Sequence, residues 1–298
     1  MKLNVSYMIT AFALLGMVGC DKNFEEFETV AGGGAPAAVE LSTVRSEALP
    51  GQIKLNWKAP EGDYAYMQIR YYDPLQKKNI CKIASKGTTE MLIENTRARF
   101  GDYTFYLQTF NAVHEGGTIQ ELKAKSGRMP ASYTEKSRTQ VTLTVDQLSC
   151  NYPDANEGYF DRLIDGKTAD PSFFHTNWHN PLVDLPHYIQ IDLKEEHENF
   201  AFEYYTRDTG NSDGFPTSAE LQISTDGEHW ETVATLNGLP AKRQTKYASD
   251  FVMPGKKFKF FRFNVLTSSQ NKKYFHIGEI AFLDVDIETY DPETVPLD

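Results

Sequence analysis

The 298-residue sequence lacks two motifs that mark nucleotide-dependent enzymes, since it contains neither a P-loop nor a GxGxxG segment. Acidic residues are abundant, but no spacing fixes a pair of carboxylates at the separation that glycosidases need. His175 and His179 are four residues apart, which suits zinc on a helix, but Pro181 and the neighbouring aromatic residues predict a loop there. We therefore expect no catalytic activity.

Positive charge is scarce in this sequence. There are 30 Lys and Arg residues against 41 Asp and Glu residues, which gives a formal net charge of -11. An acidic protein repels phosphate backbones, and no basic stripe appears, so nucleic acid is not expected as a partner. Polyanionic glycans are disfavoured for the same reason, unless a local basic pocket overrides the mean charge.

Cysteine is also scarce, with only Cys20, Cys81 and Cys150 in the chain. Cys81 and Cys150 fall in different predicted domains and could form a disulfide only across an interface. We expect both to be free thiols, each part of a hydrophobic core.

The N-terminal apolar run from Tyr7 to Val18 is too short to span a bilayer comfortably. It follows Lys2 and ends in small residues before Cys20, which predicts a secretory signal peptide over residues 1–19. The segment MVGC resembles a bacterial lipobox, and this resemblance implies that Cys20 receives a lipid. Ordinary soluble secretion is the alternative.

Residues 20–37 combine an acidic segment with AGGGAPAA, which predicts a flexible tether. The acidic start resembles the export signal of surface lipoproteins from the Bacteroidetes. This resemblance implies a lipid-anchored protein of the outer membrane that faces the cell exterior.

Tryptophan is rare, with three residues against 19 Phe and 16 Tyr, and this composition favours β structure. Residues 38–135 contain segments that alternate between apolar and polar residues, such as QIKLNWKAP. They resemble a fibronectin type III domain, in which an early Trp packs against a later Tyr, here Trp57 and Tyr103. We expect a spacer domain, with a second binding face as the alternative, and a linker over residues 126–139.

Residues 138–288 carry stronger strand patterns. In HYIQIDL the apolar Ile189, Ile191 and Leu193 alternate with polar residues, as in a strand with one buried face. ELQISTDGEHWETV places Asp226 and Gly227 between two such runs, which predicts a hairpin.

Four segments in sequence order resemble the discoidin family, also called the F5/8 type C domain, and its branch, carbohydrate-binding module family 32. They are IDGK with FFHTNW, the segment HYIQIDL, the segment YYTRDTGNSDG leading into Ser224 to Trp230, and His276 to Val285. The expected fold class is therefore all-β: an immunoglobulin/fibronectin-like sandwich followed by a discoidin-like jelly-roll sandwich over residues 138–288. An acidic tail over residues 289–298 is expected to extend without packing.

The resemblance implies a structural calcium site between the IDGK loop and the terminal strand. Calcium prefers six to eight oxygen ligands. Carried over by position, the side-chain ligands are Asp165, Ser172 and Glu279, with Asp170 as a substitute for Ser172 because this loop is longer than the common pattern. Backbone oxygens would come from Arg162, Lys167 and Gly278. The alternative is that Asp165 only caps a turn.

The resemblance also implies a sugar site formed by three loops. An aromatic ring stacks on the apolar face of a sugar while short polar groups fix its hydroxyls. The expected ligand-binding residues are His175, Asn177, Trp178, Arg207, Asn211 and Tyr274. Each has a structural alternative: Trp178 as a core residue, Arg207 in an ion pair with Asp192 or Asp208, and Tyr274 as a strand-end residue.

Together these patterns predict a non-catalytic, lipid-anchored surface protein that captures glycans through its C-terminal domain. Its implied context is polysaccharide capture beside other outer-membrane glycan-uptake proteins. A protein-interaction or adhesion module without sugar binding is the alternative.

Overall fold

The computed structural model describes residues 34–296, and the predicted signal peptide, Cys20 and most of the tether lie outside this range. The chain divides into two compact units. Of the described residues, the first unit comprises those up to Pro130 together with those from Asp291 onward, and the second runs from Ala131 to Tyr290. The described residues include no helix that is long and apolar enough to cross a membrane.

The first unit is a β-sandwich of two antiparallel sheets. The strands are β1 Arg45–Leu49, β2 Gln52–Asn56, β3 Tyr66–Asp73, β4 Lys78–Ser85, β5 Glu90–Ile93, β6 Asp102–Phe110 and β7 Gln120–Lys125. One sheet has the order β1-β2-β5 and the other the order β4-β3-β6-β7. Short 3-10 turns occur at Leu41–Thr43 and Ala98–Phe100. This arrangement confirms the predicted immunoglobulin/fibronectin-like sandwich.

The core of the first unit follows from the alternating pattern of its strands. Ile53 and Leu55 of β2 are fully buried, and Gln52, Lys54 and Asn56, which alternate with them, are only partly buried. Trp57 and Tyr103 both lie in this core cluster.

The C-terminal segment packs against the first unit, so the prediction of an unpacked tail is wrong. The carboxylate of Glu293 accepts hydrogen bonds from the backbone N–H groups of Ala98, Arg99 and Met129, at 3.1, 2.9 and 2.8 Å. Three partly buried amides thereby find an acceptor from a distant part of the chain.

The predicted linker is also partly wrong, because Ser132–Gln140 forms strand β8 of the second unit. This strand pairs with the last strand of the chain, from Gln140 opposite Leu283 to Ser132 opposite Tyr290. Its exposed polar residues resemble linker composition, since an edge strand buries few side chains.

The second unit contains a five-stranded sheet, a four-stranded sheet and a two-stranded ribbon. Besides β8, the strands are β9 Leu148–Cys150, β10 Phe174–His175, β11 His187–His197, β12 Phe200–Tyr205, β13 Pro216–Ser224, β14 Glu231–Asn237, β15 Lys246–Ala248, β16 Phe258–Ser268, β17 His276–Ile277 and β18 Glu279–Tyr290. The strand orders are β14-β13-β16-β11-β9 in the five-stranded sheet, β15-β12-β18-β8 in the four-stranded sheet and β10-β17 in the ribbon, and all pairs are antiparallel. Three 3-10 turns occur at Val145–Gln147, Phe160–Leu163 and Ser269–Asn271.

The core of the second unit is rich in phenylalanine. Phe202 of β12 lies 5.0 Å, between ring centroids, from both Phe261 and Phe263 of β16. The apolar residues of HYIQIDL, Ile189, Ile191 and Leu193, are buried, as expected. Asp226-Gly227 lies in the predicted turn between β13 and β14, and Gly227 has a φ of 80°. The all-β, jelly-roll-like expectation is confirmed.

Both described cysteines are free, as expected, but their surroundings differ. Cys150 packs against the core of the second unit. Cys81 is exposed on β4, so its predicted place in a core is wrong.

Candidate ligand and cation sites

Trp178 lies at the surface of the second unit, in the loop between β10 and β11, with 43% of its surface exposed. Its indole Nε1–H donates a hydrogen bond to Glu157 Oε2 at 2.9 Å. The ring centroid lies 4.0 Å from that of His179. The indole is therefore held in place while much of its surface stays open to solvent.

Behind Trp178 lies a cluster of rings that strand pairing brings together. β10 pairs with β17, which sets His175 opposite His276. The His175 ring lies 6.1 Å from Trp178, 5.2 Å from Tyr274 and 5.3 Å from His276, between centroids. His175 Nδ1 lies 2.6 Å from the carbonyl oxygen of Thr176 and donates to it, so Nε2 carries the lone pair.

Asp213 fixes the other side of this cluster. Its carboxylate accepts a hydrogen bond from the Tyr274 hydroxyl at 2.9 Å, and its carbonyl oxygen accepts one from His276 Nε2 at 2.8 Å. A Cβ atom at the neighbouring Gly214 would lie 2.8 to 2.9 Å from the His276 and Tyr274 rings. Gly214 has a φ of 76° as well, so both its backbone and this close approach require glycine.

Arg207 lies beside the cluster, after β12. Its guanidinium carbon lies 3.2 Å from the centroid of the Phe173 ring, and Nη2 lies 3.5 Å from Asp170 Oδ1. The partners considered from sequence, Asp192 and Asp208, are therefore wrong: they pair with Lys194 and Arg243.

The two predicted asparagines have different positions. Asn177 braces the Trp178 loop, because its Oδ1 accepts the His179 N–H at 3.0 Å and its Nδ2 donates to the His179 carbonyl at 3.3 Å. Asn211 is exposed in the loop after β12, and its backbone N–H donates to Thr209 Oγ1. Within residues 34–296, no hydrogen bond or ring contact joins Asn211 to the Trp178 cluster.

The predicted cation ligands form a second cluster. Asp165 accepts hydrogen bonds from Ser172 Oγ at 2.7 Å and from the Lys167 N–H at 2.9 Å. Glu279 Oε1 accepts the Gly166 N–H at 3.1 Å, which joins the start of β18 to the IDGK loop. Glu279 Oε2 is buried without a hydrogen-bond partner. Asp170, the predicted substitute for Ser172, faces Arg207 instead.

Comparison with known proteins gives the family of this region. The family model described as the F5/8 type C domain matches residues 147–280. The chain carries an F5/8 type C domain. The match includes both clusters, from Glu157 to Glu279.

No curated protein matches this chain. Among solved structures, CpGH89CBM32-5 from Clostridium perfringens, in complex with GalNAc-β-1,3-galactose, is 22% identical, with a TM-score of 0.39 over 45% of this chain and 92% of that one. The family 32 carbohydrate-binding module of NanJ from C. perfringens, in complex with galactose, is 16% identical, with a TM-score of 0.40 over 50% of this chain and all of that one. A SusE-like protein is 12% identical, with a TM-score of 0.35 over 84% of this chain and 99% of that one.

The two imidazoles at the centre of the ring cluster, His175 and His276, are neutral at pH 7. Burial, together with the charge of His175, lowers the pKa of His276 to about 3, and burial is also the main cause that lowers the pKa of His175. The two imidazoles therefore add no charge to the ring cluster, and the charged groups beside it, the Arg207 guanidinium and the Asp213 carboxylate, are opposite in sign. This environment suits a polar ligand without net charge.

The carboxylates of the cation cluster differ in charge. Burial, reinforced by the nearby Asp165, raises the pKa of Glu279 to about 7, although the Gly166 hydrogen bond opposes this. Burial opposes ionisation of Asp165 as well, but the hydrogen bonds from Ser172 and Lys167 outweigh it and lower its pKa. An unpartnered carboxylate oxygen beside a second carboxylate fits a cation.

No group of three His, Cys, Asp or Glu residues within residues 34–296 could hold a metal ion. A cation at Asp165 and Glu279 would thus need backbone carbonyl oxygens as further ligands, which is a donor set that calcium accepts and zinc does not.

The segment Gly210–Gly214 matches the GxSxG pattern of serine hydrolases. In those enzymes the serine sits in a sharp turn between a strand and a helix, close to a histidine. Here Ser212 lies in an exposed loop between two strands, and its Oγ accepts a hydrogen bond from Gln270 Nε2 at 2.5 Å. This context does not form a nucleophile elbow.

Sequence reasoning missed the residues that hold the rings in place. Glu157 fixes Trp178, and Asp213 fixes both Tyr274 and His276. Asp154 is buried, and its Oδ2 lies 3.6 Å from His179 Nε2. The NSDG segment contains Asp213, but only the strand pairing shows which rings it meets.

Proposed function

We propose that the F5/8 type C domain binds saccharides without catalysis, at the rim formed by His175, Trp178, Arg207 and Tyr274. The exposed Trp178 ring, held by its hydrogen bond to Glu157, supports this proposal most strongly. A fixed, open indole loses little conformational freedom when a sugar ring stacks on it.

The polar groups around Trp178 suit hydroxyl recognition. Arg207 supplies N–H donors, and His175, which is buried directly behind Trp178, keeps Nε2 as an acceptor because its Nδ1 donates to Thr176. The neutral imidazoles favour an uncharged sugar. Galactose and GalNAc-β-1,3-galactose, the sugars in the two complexes above, are the first ligands to test.

The test is isothermal titration calorimetry with these sugars, after a glycan array has ranked a wider set. Trp178→Ala and Arg207→Ala should each weaken binding at least tenfold, because each removes a direct contact. Tyr133→Ala is a matched control, since Tyr133 is an exposed aromatic residue on β8 of the same unit, and it should leave affinity unchanged. A silent array with a co-purifying protein would support the adhesion alternative instead.

We also propose that the protein is a lipid-anchored component of the outer membrane, exposed at the cell surface, with glycan-uptake proteins as neighbours. The lipobox-like segment before Cys20 and the tether that follows it support this proposal. Cys20→Ala should abolish incorporation of labelled fatty acid and release the protein from the membrane fraction. Retention of label in that variant would place the anchor elsewhere.

Calcium is proposed as a structural ion at Asp165, Ser172 and Glu279. The buried, unpartnered Glu279 Oε2 supports this proposal. Bound there, a cation would link the IDGK loop to β18 by a second contact beside the Gly166 hydrogen bond.

A further inference from the structure

A cavity lies in the first unit, on the outer face of the sheet β4-β3-β6-β7. It has a volume of about 870 Å³, which is within the range of ligand pockets. Arg70, Tyr72, Asn79, Cys81 and Tyr106 contribute to its lining. Tyr72 and Tyr106 are 52% and 41% exposed, which is high for large aromatic side chains.

Strand register places these residues in adjacent rows on one face. Arg70 of β3 lies directly opposite Cys81 of β4 and Tyr106 of β6. Tyr72 is two residues after Arg70, so it projects from the same face and forms the next row with Asn79. A single arginine is thereby flanked by two accessible rings.

Arg70 is positioned but has no counter-ion. Its Nη2 donates to Gln108 Oε1 at 3.0 Å, which orients the guanidinium group. No carboxylate among residues 34–296 forms an ion pair with it, and its Nε is buried without a hydrogen-bond partner. Asp102, the acidic residue in the lining, lies 4.0 Å from Lys125 Nζ.

We propose that this cavity binds an oligosaccharide that contains a uronate, with the carboxylate on Arg70 and sugar rings against Tyr72 and Tyr106. Arginine binds carboxylates through charge-assisted, often paired hydrogen bonds, and here no existing ion pair would have to break. The net charge of the protein is negative, so an arginine without a counter-ion between two exposed rings is a local positive charge on an acidic protein. The site is separate from the Trp178 rim, and the two are tested by different variants.

The first experiment is calorimetric titration of the full chain with trigalacturonate and, in parallel, with a neutral trisaccharide of the same linkage. The acidic ligand should bind, and raising NaCl from 50 to 500 mM should weaken it. Arg70→Gln and Tyr72→Ala should each reduce affinity at least tenfold. Leu92→Ala, which truncates an exposed residue on the other sheet of the same unit, should have no effect.

Cys81 provides a second measurement because its exposed thiol lies opposite Arg70. Bound trigalacturonate should slow maleimide labelling of Cys81, read by peptide mass spectrometry, at least threefold. Cys150 is the control for folding: it lies in the other unit, and because burial raises its thiol pKa to about 12, it should stay unlabelled with and without the ligand.

Three outcomes would overturn the proposal: trigalacturonate fails to bind, the neutral trisaccharide binds equally well, or Trp178→Ala rather than Arg70→Gln abolishes binding. The last outcome would assign the acidic sugar to the rim of the F5/8 type C domain. Failure of the proposed rim function would instead appear as galactose binding that Trp178→Ala does not change, and it would leave the present test intact.

Discussion

Single residues decide how the F5/8 type C domain presents its two clusters. Glu157 holds one exposed indole, and Asp213 joins a tyrosine to a histidine. Glu279 is different, because one of its oxygens is bound and the other is buried without a partner. At this scale the chemistry depends on which polar atoms are satisfied and which are left open.

Glu279→Gln tests the cation cluster. Without metal, the pKa of Glu279 is about 7 in the folded protein and near 4.5 in the unfolded chain, so the folded state binds the extra proton between these values. Protonated Glu279 therefore contributes its whole stabilisation of the folded state below pH 4.5, and this stabilisation is lost as the pH rises through 7. With EDTA present, the free energy of unfolding of the native protein should therefore fall relative to Glu279→Gln between pH 5 and 8, as measured by urea denaturation.

Calcium should reverse this order at pH 7.5, because it binds the ionised carboxylate. At 100 times its Kd it should stabilise the native protein by about 2.7 kcal/mol and the variant by less. Glu231→Gln, at an exposed carboxylate on β14, is the control and should respond to calcium as the native protein does. An equal calcium effect in native and Glu279→Gln proteins would contradict the proposed ligand.

Strands and loops differ in how well the sequence predicts them. The alternation of Ile189, Ile191 and Leu193 predicts β11, and Asp226-Gly227 predicts the turn before β14, since both signals are local. The partners of Trp178 and Tyr274 could not be predicted, because Glu157 and Asp213 lie in loops without a periodic pattern. β8 was missed for a related reason: an edge strand with mostly exposed residues has the composition of a linker.

Phe263→Ala tests the element that carries the core of the second unit. Phe263 is fully buried in β16, and its ring centroid lies 5.0 Å from Phe202 and 5.3 Å from Tyr204. Truncation should cost about 3–5 kcal/mol of unfolding free energy, as for other buried phenylalanines. Chemical denaturation, with hydrogen exchange of β12 and β16 peptides, measures this loss. Tyr133→Ala should change stability by less than about 0.5 kcal/mol, and a loss as small as this for Phe263→Ala would show that β16 is not central to the core.

At the scale of the whole molecule, the chain forms two units, and the first is discontinuous in sequence. Composition and alternation predict two β-sandwiches in this order. They do not predict that the last residues return to the first unit, because Glu293 and its partner Ala98 are 195 positions apart. No local pattern encodes such a contact.

Glu293→Ala tests this return. It would leave three partly buried backbone N–H groups of the first unit without their acceptor. An unsatisfied buried donor costs about 1–3 kcal/mol, and because water still reaches partly buried groups, we expect a total loss within this range. We expect lower stability of the first unit and faster hydrogen exchange at Ala98, Arg99 and Met129. Glu293→Gln keeps one acceptor oxygen and should show a smaller effect. Unchanged exchange at these amides in Glu293→Ala would show that the segment does not hold them.

The return of the C-terminal segment also sets an order for biogenesis. A nascent chain emerges from the ribosome with its N-terminal sandwich first, yet the glutamate that satisfies three amides of that sandwich is translated only after the whole second unit. The earlier unit therefore cannot reach its final state until the later one has been synthesised. A protease that cleaves the chain after Tyr290 would leave the second unit intact. It would remove from the first unit the segment whose Glu293 binds its three amides.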